Sequence, residues 1–373
     1  MNNRIFLSSP HMGGAELDYI NEAFDTNWIS PVGPNIAGFE KDISAYAHNI
    51  SVAALTSGTA AIHLALIILG VKEGDEVICS SFTFAGSCNP IAYLKATPVF
   101  VDSEKDTWNI DPELMRDAIE DRIKKGKKPK AIVLVHLYGM PAKMDELMAV
   151  AREFEIPVVE DAAEALGSSY KGKKLGTFGD IGVYSFNGNK IITTSGGGAM
   201  VSFNQDYIEK AKFLATQARD NAPHYEHTHI GYNYRMSNIS AGIGRGQMQV
   251  LDKHIEYRRQ NFEFYKNLLR NDDRISFVEE LNETFSNRWL TTIVIKQDNN
   301  ISPRGLREFL EENNVESRPL WKPMHMQPVY DQAPYYGNGT SEYLFQHGLC
   351  LPSGSNMTDE ERLRIETCLL SYL

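Results

Sequence analysis

Cysteine is scarce in this 373-residue chain: Cys79, Cys88, Cys350 and Cys368 are the only four, and no two form a Cys-x-x-Cys pair. That spacing excludes the common zinc patterns and gives no disulfide framework, so reduced thiols are expected. A basic excess is absent too. Lys and Arg number 37 against 48 Asp and Glu, a net charge of -11, which is the wrong sign for a face that meets nucleic-acid phosphates. Long apolar runs are missing. The most apolar stretch, Ala53 to Val71, is broken by Thr56, Ser57, Thr59 and His63, and no membrane span is expected. Met1 to Leu7 lacks a signal-peptide core, so the expected location is cytoplasmic. Repeats and low-complexity segments do not occur. An anionic ligand must therefore be held by a local device: helix N-termini, backbone amides or a few placed cations.

What is present is an ordinary globular composition, 42% apolar and 23% charged, in a chain long enough for two domains. Leu17, Ile20 and Phe24 recur at helical spacing, as do Ile36, Phe39, Ile43 and Tyr46. Between them, residues 27–34 form a loop fixed by Pro31, Gly33 and Pro34. Apolar runs at 76–81, 97–101, 131–136, 157–161 and 181–186 read as strands, alternating with helical patterns at 60–69, 112–124 and 144–153. Continuous apolar strands separated by helices indicate a mostly parallel sheet covered on both faces. Beyond about residue 245 the pattern changes. One long helix is expected to carry Met248, Leu251, Ile255, Phe262, Tyr265 and Leu269, followed by a strand at 289–295. A helix then opens at Ser302-Pro303, and the last helix opens on a capping box at Thr358 to Glu361. Residues 1–245 read as a large α/β domain with an N-terminal arm, and 246–373 as a smaller α+β domain.

The informative pair is Asp161, closing the strand Val158-Val159-Glu160-Asp161, and Lys190, in Phe186-Asn187-Gly188-Asn189-Lys190-Ile191-Ile192. An acid at a strand's end with a lysine shortly after it is what pyridoxal 5′-phosphate chemistry requires. The acid keeps the pyridine nitrogen protonated and the lysine carries the cofactor as a Schiff base. Each residue also has a plainer explanation. Asp161-x-x-Glu164 is a capping-box pattern, and Lys190 fits a solvated turn after Asn187-Gly188-Asn189. Thr56-Ser57-Gly58-Thr59 leads into a helix whose free amides form an anion seat, or an ordinary N-cap. Gly196-Gly197-Gly198 lacks the Lys-Ser/Thr of a Walker loop and suits close backbone approach beside the lysine. Ser185 offers a hydroxyl to the same phosphate. Phe84 is a ring-stacking candidate, or simply core.

With these parts assembled, the chain resembles the DegT family of sugar aminotransferases over essentially its whole length. The resemblance runs through Pro10 to Gly14, Thr56 to Leu66, Ser80 to Phe84 and Val135 to Gly139. It continues through Glu160 to Gly167, Phe186 to Thr194, Gly231 to Arg235 and Arg318 to His325. It implies the aspartate aminotransferase fold (fold type I) and a pyridoxal phosphate cofactor. It also implies Lys190 as Schiff-base lysine, Asp161 as pyridinium partner, Phe84 as stacking ring, and Gly58, Thr59 and Ser185 on the phosphate. Asn233 would reach that phosphate from the neighbouring subunit of a homodimer. Glu164 stands where many relatives carry Gln or His. A lysine rather than a histidine at position 190 favours transamination over dehydration. The lysine loop and the Arg318-Pro319-Leu320-Trp321-Lys322 segment are similar to the branch that aminates C4 of a UDP-linked 4-keto-6-deoxy-N-acetylhexosamine, with L-glutamate as donor. Arg318 and His325 around Trp321, facing the loop Asn27, Trp28, Ile29 and Ser30, are the expected contacts for that nucleotide sugar. Amination at C3 or of a dTDP- or GDP-linked sugar, a desulfurase using Cys350, and a non-catalytic binding protein are the rivals. No metal is expected.

Overall fold

The computed structural model describes residues 3–296 and 301–373. Two helices open it, α1 (Glu16–Asp25) and α2 (Pro34–Tyr46), the second burying Ile36, Phe39 and Ile43. Leu17 and Phe24 of α1 have the helical spacing expected of a core face, yet they are exposed; Glu16 and Ala23 are its buried residues.

Then follow β1 (Ser51–Leu55), α3 (Gly58–Ile68), β2 (Glu76–Ser80), β3 (Thr97–Val101), β4 (Ala131–Val135) and β5 (Val158–Asp161). With strands at Ile181–Ser185 and Gly198–Ser202 they form one large sheet. β2 to β5 and the Ile181–Ser185 strand run parallel, while Gly198–Ser202 lies antiparallel between Ile181–Ser185 and β1. Side chains alternate across the sheet, and both sides are core: Ile132 and Leu134 join one apolar cluster, Ala131 and Val133 the other. Burial on both faces is why these strands read as unbroken apolar runs. Parallel strands also bring their carboxyl ends to one edge. Leu55, Val135, Asp161 and Ser185 all end strands there, where ligands of such sheets bind.

A second, four-stranded antiparallel sheet joins Ile275–Phe277, Thr291–Ile295, Gly348–Leu351 and Arg318–Pro319. Its core includes Tyr265, Leu306, Leu310, Ile365 and Leu369. Two segments tie the layers together: Ile5 pairs with Val315, and Tyr335–Tyr336 extends the large sheet beside β3. The expected single helix through Met248 and Leu269 is two, Asn238–Met248 and Leu251–Leu269, interrupted at Gln249 and Val250. Ser302 caps its helix through the Gly305 amide, and Thr358 with Glu361 forms the reciprocal capping box. No helix among the described residues is long and apolar enough to cross a membrane.

Candidate active site

β5 ends with two carboxylates on opposite faces of the sheet. Glu160 is fully buried and accepts from His136 Nε2 at 2.8 Å and from the Phe178 and Gly179 amides at 2.8 and 3.0 Å. Burial alone would raise its pKa, but His136 and the Gly176 and Gly179 amides hold it below the usual carboxylate range. Asp161 accepts from Ser87 Oγ at 2.7 Å and from the Ala163 amide at 3.1 Å. Burial dominates and pushes its pKa up. Residues 163–167 form turns rather than a helix, so Asp161 and Glu164 build no capping box. Glu164 instead accepts from the Tyr138 amide at 2.7 Å and lies 3.5 Å from Lys190 Nζ, and burial raises its pKa as well.

Lys190 follows a turn closed by its own amide on the Asn187 carbonyl at 3.0 Å. Its side chain is 11% exposed, which removes the solvated-turn explanation. Lys190, Asp161, Glu164, Gly58, Thr59, Ser185, Phe84 and Trp321 line one cavity of roughly 340 Å³. A larger surface groove of about 820 Å³, beside Tyr46, Asp252 and Arg259, holds no comparable set of buried reactive groups.

At one end of the cavity α3 begins. Ser57 accepts the Ala60 amide at 3.0 Å, so the N-cap and the anion seat coexist; Gly58 and Thr59 supply the next helix-start amides. Gly198 packs on the start of α3, where a Cβ would run into the Ser57–Gly58 backbone. Gly197 makes the approach expected beside the lysine loop: a Cβ there would run into Thr194, and its carbonyl accepts from the Phe186 amide at 2.8 Å. A Cβ on Gly58 would press on Ser185 at 3.2 Å. Phe84 is 54% exposed, which rules out the core-packing alternative, and its ring meets Trp321 at 5.4 Å.

Other expected residues sit elsewhere in this chain. Asn27, Trp28, Ile29 and Ser30 are exposed and do not line the cavity, and Asn233 is exposed, bridging to Thr216. Arg318 is exposed and paired with Glu316 at 2.7 Å. It borders a neighbouring cavity of about 540 Å³ that shares Asn189, Trp289 and Trp321 with the first. His325 lines neither of these two cavities. Its ring stacks on Tyr335 at 3.6 Å, bonds Ser81 Oγ at 2.7 Å and approaches Glu342 at 3.2 Å, so packing consumes its polar atoms. Ser87 and Trp289 are cavity residues that sequence reasoning missed. Ser87 carries no local signal, because its partner lies on a distant strand; Trp289 reads only as the start of an apolar strand. Cys350 is buried in its strand with its thiol pushed up to about 12 by burial, unlike a mobile nucleophile.

These residues fit pyridoxal phosphate. The helix start suits a phosphate, and Phe84 with Trp321 offers aromatic surface for a ring. Asp161 has hydrogen-bond donors but no ion pair among the described residues, and a protonated ring nitrogen would supply that missing cation. Together they define the site of a pyridoxal phosphate-dependent transaminase.

Comparison with known proteins agrees. Residues 10–370 match the DegT/DnrJ/EryC1/StrS aminotransferase family, and the chain belongs to it. It is 52% identical to EpsN of Bacillus subtilis (strain 168), named as a candidate pyridoxal phosphate-dependent aminotransferase, over 99% of this chain and 96% of that one. It is 37% identical to GDP-perosamine synthase of Escherichia coli O157:H7, over 95% of each. A family aminotransferase from Brucella abortus superposes with TM-score 0.89 at 27% identity, covering 96% of this chain and 95% of that one. The enzyme is a pyridoxal phosphate-dependent sugar transaminase with an α/β fold of type I.

Proposed function

We propose that the protein moves the amino group of L-glutamate to C4 of a UDP-linked 4-keto-6-deoxy-N-acetylhexosamine, releasing 2-oxoglutarate. The observation that carries the reaction class is the convergence of Lys190, Asp161 and the α3 start in one cavity. When bound, the cofactor ring supplies an electron sink. Asp161 holds the proton on the ring nitrogen, while Ser87 and the Ala163 amide fix its carboxylate. Gly58, Thr59 and Ser185 seat the phosphate. Lys190 takes the proton from Cα of glutamate and, in the second half, returns one to sugar C4. Phe84 and Trp321 shield that proton transfer from bulk water.

The neighbouring cavity, bordered by Arg318 and Lys322, supports a diphosphate-linked sugar entering past Trp321. In a protein of charge -11, an anion there needs such local cations. Charge-assisted bonds contribute roughly 1.5–3 kcal/mol each. Arg318→Ala should accordingly raise KM for the keto-sugar at least about tenfold, with the glutamate half-reaction nearly unchanged. Loss confined to the glutamate half would assign Arg318 to the amino acid instead.

The names of the GDP-perosamine synthase relatives favour a GDP-linked sugar as the second reading. Purified enzyme offered UDP-, GDP- and dTDP-linked keto-sugars with glutamate, with 2-oxoglutarate release followed, separates them. Turnover of the UDP-linked N-acetyl sugar supports the first reading; preference for a GDP-linked one replaces it. A homodimer is part of the proposal. Leu17, Phe24, Trp28, Ile29 and Val32 leave apolar surface exposed on the single chain, beside the Asn27 to Ser30 loop expected at the sugar site.

A further inference from the structure

Two of the described residues lie close to the amine of Lys190. One is Glu164, 3.5 Å from Nζ. The other is the face of the Trp289 ring, whose centroid lies 4.0 Å from Nζ. Trp289 is 1% exposed, and several contacts fix its placement. The indole N–H donates to the Asn189 carbonyl at 2.7 Å, the backbone N–H donates to Asn287 Oδ1 at 2.9 Å, and the carbonyl accepts from Arg258. The ring also stacks on Tyr138 at 6.4 Å.

The same contacts reach the other parties. Asn287 Nδ2 donates to the Glu164 carbonyl at 2.9 Å, so one asparagine ties both neighbours of the amine together. Ser8 Oγ donates to the Asn189 carbonyl at 2.7 Å, and Arg258 reaches the Lys190 carbonyl at 3.5 Å. One buried hub thus sets the lysine's backbone and the ring under its amine.

The plainer account makes Trp289 a core aromatic joining the second sheet to the first. That account explains the burial and the stacking. It does not explain why the ring presents its face to the one lysine in the cavity, nor why the indole N–H goes to the carbonyl of the residue before that lysine. An ammonium over an aromatic face is attracted by the ring quadrupole, and desolvation strengthens the attraction; a neutral amine gains nothing comparable.

We propose that Trp289 is a positioning residue for Lys190: its ring face, together with Glu164, forms the station that holds the lysine ammonium while the amine is free of the cofactor. The proposal rests on reading Lys190 as the cofactor lysine. In the glutamate half-reaction the amine takes the Cα proton and becomes an ammonium, and the electrons of the broken C–H bond pass to the cofactor. The station receives that ammonium before the proton would pass to the C4′ carbon of the bound cofactor.

The test begins with cofactor-free protein, in which acylation of Lys190 is followed across pH by peptide mass spectrometry. Trp289→Leu should speed acylation of Lys190 about tenfold at neutral pH, equivalent to ~1.4 kcal/mol, with Trp289→Phe staying near wild type. Because Trp289→Leu removes a buried ring, a second arm keeps the shape: protein grown with fluorinated tryptophans, which weaken the quadrupole at constant volume. Its labelling should shift in the same direction, in proportion to fluorine count, and the shift should vanish in the Trp289→Phe background. In loaded enzyme the pH profile of the glutamate half-reaction should move likewise, with KM for glutamate unchanged. Labelling curves that superpose for wild type and fluorinated protein would overturn the proposal. Borohydride reduction of the loaded enzyme and peptide mapping keep the two readings apart. An adduct on another lysine removes the assignment of Lys190, whereas an adduct on Lys190 with unmoved curves removes only the role of Trp289.

Discussion

Asp161 and Glu160 are adjacent in sequence and chemically opposite in place. Glu160 is satisfied on the covered face of the sheet, while Asp161 faces the cavity and accepts from two neutral donors among the described residues. Burial raises the folded-state pKa of Asp161. For a carboxyl raised above its unfolded value, ionisation opposes folding, and the penalty is in full force at neutral pH. Asp161→Asn should therefore leave the cofactor-free protein at least as thermally stable as wild type, yet cut transamination steeply, because an amide cannot hold the ring nitrogen charged. A melting curve beside a glutamate half-reaction assay checks both halves; near-wild-type turnover would return Asp161 to a purely structural role. Lys190→Ala should give folded protein that binds cofactor without covalent attachment and does not transaminate. Retained proton exchange at glutamate Cα, followed by mass spectrometry in deuterated buffer, would contradict the assignment.

Between elements, the helix Leu251–Leu269 packs against the N-terminal segment through two imidazoles. His254 and His11 stack at 4.6 Å, and His11 Nδ1 lies 3.1 Å from Ser355 Oγ. Burial, then His11 and Arg258, lower His254 to about 4, and burial with Arg258 and Lys253 lowers His11. The unfolded chain takes up protons near pH 6.5, while folded His254 stays neutral down to about 4. Stability should thus be constant above about pH 6.5 and fall as pH drops toward 4. His254→Gln should flatten that fall in thermal melts taken across the window. Elements were also where sequence reading was strongest. Strand alternation with helices was legible because each segment carries its own apolar period. The strand Gly198–Ser202 was missed because glycine and alanine dominate its start and its direction reverses. The helix break at Gln249 and Val250 was missed because the apolar spacing continues across it.

At the scale of the molecule, the Asn27 to Ser30 loop and Asn233 are exposed and outside the cavity of their own chain. In the proposed homodimer they serve the partner's site. Lys190→Ala and Asn233→Ala subunits, each inactive alone, should recover part of the activity after verified exchange, because one site of the mixed dimer has both residues intact. No recovery after exchange would place both residues in one subunit's site. The site was legible in uneven parts. Asp161, Gly58, Thr59 and Ser185 were readable because each sits at a strand end or helix start with its own local pattern, Lys190 because it follows the Asn187 to Asn189 turn, and Phe84 because it lies just beyond a strand. His325 looked like a ligand contact on charge alone, and only its stacking on Tyr335 shows its polar atoms already used.

The sequence by itself determined the parallel sheet, the helix starts and the candidate acid and lysine, since these follow from apolar period, capping chemistry and residue type over short spans. Tertiary structure alone decided which carboxylate faces the cavity, which hydroxyl fixes Asp161 and which ring lies under Lys190. Strand pairing and the crossing of the second sheet toward the first set those relations. They join residues far apart in the chain, and no local pattern carries the free energy of a contact between distant segments.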